Sequence, residues 1–481
     1  MPVAFLGLML GGPALSQPLP ASAAVSSVSM TQSSSCGTAS GFCFSPPSIS
    51  TTVGSTVTWT DMTAAVHSAT ADPPGTWNTG ALGPNGTSMA ITFPTPGSFP
   101  YHCFFHPDMQ GTVVVTNPSS PPAQYTALPP SRLLDTRNGG QPLEPGVAVN
   151  LTVAGGSTPV PASASAVVLN ITVTNTSGPG FLTVWPTGNP RPIASNLNWA
   201  AGETRPNLVS VQIGITGLVA LFASSRTDVI ADLEGYFAAP SGTAGEYVGV
   251  APSRLLDTRP GGAALTPGAT LNVTVTGRGG VPSAGVSAVV LNVTVTNTTA
   301  TGYLTAYPTS SARPTASNLN WVAGWTVPNR VIVPVGSGGQ VSFFNFAGMT
   351  DLVVDVNGYF TDATLSGKRF NALSPARIAD TRASNQKLGP AGTFAVQVGG
   401  VGVSSGATAA VLNVTVTNTT TAGFLTVFPG GTPPTASDLN FAAGQTIPNL
   451  VVATLSATGS VTIYNSSGST DVVVDLVGWF G

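Results

Sequence analysis

Val168-Leu169-Asn170-Ile171-Thr172-Val173-Thr174-Asn175 returns as Val290 to Asn297 and again as Val411 to Asn418, with Val in place of Ile. Leu, Ile and Val alternate with Asn and Thr. This two-residue period in β-branched residues is that of a strand. Landmarks on either side keep pace. Ser131-Arg132-Leu133-Leu134-Asp135-Thr136-Arg137 recurs from Ser253, and from Ala376 as Ala-Arg-Ile-Ala-Asp-Thr-Arg, so the period is 122 and then 123 residues. Ser195-Asn196-Leu197-Asn198-Trp199 recurs at Ser317 and, as Ser-Asp-Leu-Asn-Phe, at Ser437. Each copy closes on Gly-Tyr-Phe or Gly-Trp-Phe, at Gly235, Gly358 and Gly478. A period this long describes an array of domains rather than a solenoid of small repeats. Gly, Pro and Asn punctuate the strands every eight to twelve residues, the spacing of a β-sandwich or barrel.

Composition agrees. The chain has 481 residues with 56 Gly and 42 Pro, too many interruptions for long helices. Charged residues are 7% and hydrophobic ones 42%, which excludes a disordered, solvated chain. The net charge is −3 and Lys and Arg form no cluster, so nucleic acid is not an expected partner. Residues 1–124 carry no Lys, Arg or Glu, and their charges are Asp61, Asp72 and Asp108. All three histidines, His67, His102 and His106, lie in this stretch too.

Val3–Leu10 is a short apolar run followed by Pro18, Pro20 and Ala21-Ser22-Ala23-Ala24. It reads as a signal peptide over 1–24, though no basic residue precedes it, and it is too short to span a bilayer. No other stretch is long enough for a membrane helix. Cys36 and Cys43 could pair in an oxidising compartment, leaving Cys103 as the odd thiol. The expected organisation is an N-terminal domain over 25–117, a Pro/Ser linker over 118–124, and β repeats over 125–238, 247–361 and 370–481.

The chemistry is concentrated in Tyr101-His102-Cys103-Phe104-Phe105-His106-Pro107-Asp108-Met109-Gln110-Gly111. Upstream, Val57-Thr58-Trp59 leads through Asp61 to Val66-His67-Ser68. One thiolate, two imidazoles and a thioether are the donors of a blue-copper site: soft sulfur favours Cu(I), imidazole serves both oxidation states, and a weak axial Met limits rearrangement. His102 alternates with Cys103 on its strand and so points to the opposite face.

These residues resemble the cupredoxins, most closely those with the short amicyanin-type loop, over about residues 45–117. The resemblance implies a Greek-key β-sandwich holding one type-1 copper. His67, Cys103 and His106 would be its strong ligands and Met109 its weak axial ligand. It also implies electron exit through the edge of His106, framed by Phe104, Phe105 and Pro107. Cupredoxins usually have Asn directly after the first His; here it is Ser68, a change expected to tune the site rather than abolish it. No histidine remains for a second, catalytic copper, so the expectation is single-electron transfer without substrate turnover, and hence no enzyme.

In the repeats, the three Arg-x-x-Asp-x-Arg sets and the pairs Asp228/Asp232, Asp351/Asp355 and Asp471/Asp475 hold 15 of the 33 charges. These carboxylates could bind Ca²⁺ or glycan. The reading adopted is a partly buried Arg–Asp network joining the first and last strands of each copy. Asn170, Asn292 and Asn413 read as strand residues rather than glycosylation sites, and Asn175 and its copies as turn starts. The repeats resemble tandem modules of secreted and surface proteins of soil bacteria that share the R-L-L-D-T-R start, which implies location more than activity.

The whole chain is thus expected to be all-β: a cupredoxin sandwich and three β-sandwich or jelly-roll-like repeats. It is expected to be secreted or displayed at the cell surface, with a redox protein as partner and cell wall or glycan met through the repeats. Two rivals stand beside electron transfer: copper binding for storage or structure alone, and an adhesion or glycan-binding protein whose cupredoxin domain has lost its metal.

Overall fold

A computed structural model describes residues 25–52, 55–93, 97–116, 121–242, 244–261, 263–399 and 403–481. The signal segment expected over 1–24 and residues 118–120 of the linker lie outside them. The fold is all-β. One four-residue helix, Thr381–Ser384, and a few single 3₁₀ turns are the exceptions among the described residues. Among the described residues, no helix is long and apolar enough to cross a membrane. The chain divides into two compact units, residues 1–118 and 119–481.

Among the described residues the first unit has eight strands: β1 (Val25–Gln32), β2 (Phe42–Ser45), β3 (Ser48–Thr52), β4 (Thr56–Asp61), β5 (Thr70–Ala71), β6 (Ile91–Thr92), β7 (Gly97–His102) and β8 (Gln110–Thr116). They form two four-stranded sheets, ordered β2-β1-β4-β6 and β3-β8-β7-β5. The pairs β1/β4 and β3/β8 are parallel, and the chain changes sheet after each of β2, β3, β4, β5 and β6 rather than meandering. Val28, Val57, Trp59, Phe93, Tyr101 and Val113 meet in the core between them.

The second unit contains the three repeats, each with eight strands. In the first they are β9 (Gln124–Asp135), β10 (Ala148–Thr152), β11 (Ala166–Thr174), β12 (Gly180–Pro186), β13 (Leu197–Trp199), β14 (Arg205–Gln212), β15 (Leu218–Ala223) and β16 (Asp228–Ala238). The sheets run β14-β11-β16-β9 and β10-β15-β12-β13, and the other copies repeat this order. The anticipated Arg–Asp network is present. Arg132 on β9 faces Asp232 on β16 and bonds it through Nε, and the same pairing links Arg254 to Asp355 and Arg377 to Asp475. Asp228 accepts from Thr136 Oγ1 at 2.7 Å and Asn175 Nδ2 at 2.8 Å, so the carboxylates of each pair already have protein donors. Asn175, Asn297 and Asn418 adopt left-handed backbone at turns, φ 49°, 51° and 52°, which Asn tolerates better than most residues.

The strand that decides the fold is buried on both faces. Val167, Leu169, Ile171 and Val173 fill the sandwich of their own repeat. Alternation would ordinarily leave the other face in water, yet Asn170 and Thr172 are buried there. The side chain of Asn170 bonds to another repeat. Asn329 Nδ2 donates to Asn170 Oδ1 at 2.9 Å, and Asn329 Oδ1 accepts from Leu208 N at 3.1 Å. The second repeat makes the same two bonds with Asn449 of the third, and the third makes them with Asn207 of the first. The three sandwiches therefore close on one another in a ring.

Its axis is apolar. The terminal Phe237, Phe360 and Phe480 gather there, and each stacks on an aromatic ring of another repeat: Tyr125 on Phe360 at 4.4 Å, Tyr247 on Phe480 at 4.3 Å and Phe370 on Phe237 at 4.2 Å. The Gly before each aromatic pair is explained by this packing. A Cβ at Gly235, Gly358 or Gly478 would strike the ring of Tyr125, Tyr247 or Phe370.

The ring has threefold repetition but three different junctions. Where Leu208 and Leu450 stand in two copies, the second has Arg330, which is fully buried. It donates to Asp438 Oδ1 at 2.6 Å, to Leu450 O at 3.0 Å and to Asn357 Oδ1. Asp438 replaces the Asn196 and Asn318 of the other copies. Glu234, at the place of Asn357, meets Asn318 Nδ2 at 3.4 Å in the first junction; at the corresponding place the third has Val477. Burial and the nearby Asp232 push the Glu234 carboxyl well above its ordinary range.

Candidate metal centre

β4 places Val57, Trp59 and Asp61 on its buried face. The chain then turns through Thr63 to His67, whose backbone pairs with Leu82 at 3.0 and 2.7 Å. The second half of the site is the turn between β7 and β8. His102 pairs with Gln110 and Tyr101 with Gly111. Between them, Cys103 N bonds Met109 O at 3.0 Å, His106 N bonds Cys103 O at 3.2 Å and Met109 N bonds His106 O at 2.9 Å. A tight hydrogen-bonded loop thus carries the thiol, the second imidazole and the thioether. Gly111 is needed beside it, because a Cβ there would enter the Tyr101 ring. Burial pushes the Tyr101 hydroxyl up to about 12, keeping it neutral.

Cys103 is a buried free thiol. Its sulfur lies 3.8 Å from His106 Nδ1 and accepts from Ser68 N at 3.3 Å. The His67 and His106 rings are 4.8 Å apart. His67 Nε2 is buried with no partner. Met109 is buried in the same cluster as Cys103. Among the described residues, no three His, Cys, Asp or Glu side chains by themselves close into a metal site. In kind, the donors fit a copper ion: a buried thiol, a half-buried imidazole and an orphaned imidazole nitrogen with a thioether close by. His102 lies apart, its Nδ1 2.8 Å from Asp72 Oδ1 near the surface.

Ser68, where the cupredoxin pattern has Asn, links the His67 segment to the Cys103–Met109 loop. Its N–H reaches the Cys103 sulfur, and its hydroxyl accepts from Phe104 N at 3.0 Å.

Two contributors had not been singled out from the sequence. Phe42 packs on both imidazoles, 4.6 Å from His67 and 4.7 Å from His106. It precedes Cys43, which forms a disulfide with Cys36, Cα atoms 5.4 Å apart. This segment also holds the Cys103–Met109 loop, since Ser40 N donates to Asp108 Oδ2 at 2.8 Å. That bond holds the Asp108 carboxyl below its usual range. No pattern in the sequence marks Phe42. The other contributor is Asp61, fully buried, whose Oδ2 lies 3.1 Å from His67 Nδ1. Here a signal existed: the strand period puts Asp61 on the core face with Val57 and Trp59, and a carboxylate at a core position needs a reason. Around the loop, Phe104 is 69% and Phe105 46% exposed.

Solved cupredoxin structures match this chain over about a fifth of its length. The purple cupredoxin of Nitrosopumilus maritimus is 25% identical, covering 19% of this chain and 99% of its own, at a TM-score of 0.17. The amicyanin of Paracoccus versutus is 24% identical over 20% and 84%, with a TM-score of 0.14. The plastocyanin of Dryopteris crassirhizoma is 23% identical over 19% and 99%, with a TM-score of 0.15. No protein-family model and no curated protein matches.

Proposed function

We propose that the N-terminal unit is a type-1 copper electron carrier, exported and displayed on the three-repeat ring, which itself meets cell wall or glycan. The observation that carries this reading is the buried Cys103 thiol beside His106 Nδ1, facing a domain whose other buried histidine keeps one nitrogen unpartnered. His67, Cys103 and His106 would hold the ion strongly and Met109 weakly. Copper so held supplies one-electron exchange with little change of geometry. The protein's residues do the rest. Ser68 N–H donates to the thiolate sulfur, lowering its electron density. Phe42 packs on both imidazoles and shields them from water, while Phe104 and Phe105 are exposed on the loop beside them. The half-buried His106 is the route by which an electron leaves toward a redox protein. Since Asp108 is the sole charge in the loop, steering by charge is weak and docking depends on apolar contact.

With one thiol and two histidines used and a thioether behind them, no open position remains for a substrate, so the reading is of a carrier and not an enzyme. The Cys36–Cys43 disulfide supports an oxidising compartment. The test is the visible and EPR spectrum of the full chain loaded with Cu(II), beside Cys103→Ser. An intense blue or purple charge-transfer band with narrow copper hyperfine splitting, lost in the variant, is expected. A pale spectrum unchanged by the substitution would refute electron transfer.

A further inference from the structure

The second repeat departs from its neighbours at one place on its surface. Between Asp257 and Asp351 its sequence has four Arg and no Asp, Glu or Lys. Three of the four are engaged: Arg259 by Asp257, Arg330 by Asp438 and Arg278 by the Leu255 carbonyl at 2.9 Å. Arg313 is different. Its Cζ lies 3.6 Å from the centre of the Phe344 ring, and among the described residues no carboxylate pairs with it. A guanidinium stacked on a ring is held in place without using its N–H donors, which stay available to an oxyanion.

Beside Arg313 is an aromatic platform. On the strands Gly302–Pro308 and Gln340–Asn345, the residues Leu304, Ala306, Val341 and Phe343 fill the sandwich. Tyr303, Phe344 and the following Phe346 therefore lie on the opposite face. Phe344 is 6.5 Å from Tyr303, and Tyr303 stacks on Phe346 at 4.5 Å with an interplanar angle of 14°. Phe346 is 52% exposed. The other repeats show what is given up for this ring. They have Ser224 and Ser466 in its place, whose hydroxyls accept from Phe181 N at 2.9 Å and from Phe424 N at 2.8 Å. Phe346 offers Tyr303 N no such acceptor, and it sets a large apolar ring in water. A local rule kept in two copies and broken in the third marks a place where contact with something else offsets the loss.

The chemistry of the face selects the partner. Stacked rings receive the C–H face of a pyranose, because an aromatic face is electron-rich and those hydrogens are electron-poor. An unpaired Arg in a stretch without carboxylates favours an anionic neighbour. One isolated cation among uncharged side chains suits a single carboxylate on a polymer; a charged bilayer is met by clusters of Lys and Arg.

We propose that the second repeat binds an acidic polysaccharide: one sugar ring lies on Tyr303 and Phe346, and a uronate carboxylate of the same or the next sugar accepts from Arg313. The proposal rests on the reading that the ring of repeats meets glycan, and it gives that reading a place and a chemical class. The first repeat has part of the site, with Arg191 Cζ 3.7 Å from Phe222 and Phe222 6.0 Å from Phe181, but Ser224 where the platform needs Phe346. The third has Phe424 and Tyr464 6.3 Å apart and no Arg in residues 429–438.

The test titrates the full chain with tetragalacturonate, its methyl-esterified form, a neutral glucan and phosphatidylglycerol vesicles, by calorimetry. Tetragalacturonate should bind, more weakly as salt is added, and the ester should bind less tightly than the acid. Phe346→Ser installs the residue of the other copies and should weaken acid and ester alike by about 3–10-fold. Arg313→Gln should weaken the acid by about 2–5-fold and leave the ester unchanged. Tetragalacturonate bound equally by the wild type and both variants would overturn the site and leave the glycan reading in place. Equal binding of acid and ester, or a preference for the neutral glucan, would overturn the acidic class. Binding to the vesicles alone would replace the polysaccharide by a membrane surface. If none of the four binds, the glycan reading falls together with this site.

Discussion

Replacing Arg330 by Leu would restore the residue found in the other two repeats, and it should be among the most damaging single changes in the ring. Arg330 is fully buried and its guanidinium serves three acceptors: Asp438 Oδ1 at 2.6 Å, Leu450 O at 3.0 Å and Asn357 Oδ1. Arg330→Leu leaves the Asp438 carboxylate, also buried, with the backbone N–H of Val427 at 2.7 Å among its hydrogen-bond donors but without its cation. Breaking a buried pair from one side costs about 3–5 kcal/mol. Stranding the Leu450 carbonyl adds to this, as a buried acceptor without a donor costs about 1–3 kcal/mol. Asp438→Asn in the same chain removes the stranded charge and recreates the Leu and Asn combination of the other junctions. Replacing a whole buried pair by residues that fit is often neutral or stabilising. The double variant should therefore lie within about 1–2 kcal/mol of wild type. The assay is urea unfolding of the full chain and both single variants and the double, followed by circular dichroism, with the coupling energy taken from the cycle. A single variant that loses less than about 1 kcal/mol, or a double variant as unstable as the single, would refute the argument that a desolvated charge locks this junction.

Glu234 gives the first junction a pH dependence. Its folded carboxyl titrates well above its unfolded value of 4.5, so between those two values the folded state binds more protons than the unfolded, and stability falls as pH rises, by about 1.4 kcal/mol per unit; Glu234→Gln should flatten the slope, and thermal melts across this range that stay parallel for both proteins would contradict it. Gly358→Ala should cost at least about 1–3 kcal/mol, since its methyl would enter the Tyr247 ring; an unchanged urea midpoint would show that the axis gives way. Cys36→Ala with Cys43→Ala should lower stability of the first unit by about 2–3 kcal/mol and increase hydrogen exchange in the loop Cys103–Met109, because Phe42 and the Ser40–Asp108 bond anchor that loop; unaltered loop exchange would separate the two segments.

The all-β architecture was legible because Leu169, Ile171 and Val173 alternate with Asn170 and Thr172, and the same alternation returns twice. The Arg–Asp network was legible for a related reason: apolar neighbours such as Leu133 and Val229 made solvated charges improbable. Ring closure was not. It depends on Asn170 meeting Asn329, and no local pattern records contacts between positions so far apart. The polar alternation that suggests a wet face is identical whether the face meets water or a neighbouring asparagine. At the candidate centre, the spacing of Cys103, His106 and Met109 announced itself because one turn holds all three. His67 needed the preceding Val-Thr-Trp strand to be noticed. Asp61 was visible as a charge but not as a partner of His67, because the intervening turn sets their distance. Phe42 comes from a separate segment altogether.

Closure also settles how many repeats such a ring accepts. An open solenoid leaves an unsatisfied face at each end and lengthens by adding units. Here every repeat spends one asparagine-lined face on the next copy and the other on the previous one, and the third returns to the first. The valence of the assembly is full at three. A fourth copy inserted in the chain would find no seat, while a chain with two would expose a pair of complementary faces and recruit its missing member from another molecule. Copy number in this unit of the protein is therefore a geometric constant, and gain or loss of a repeat would change the state of association rather than the length of a stalk.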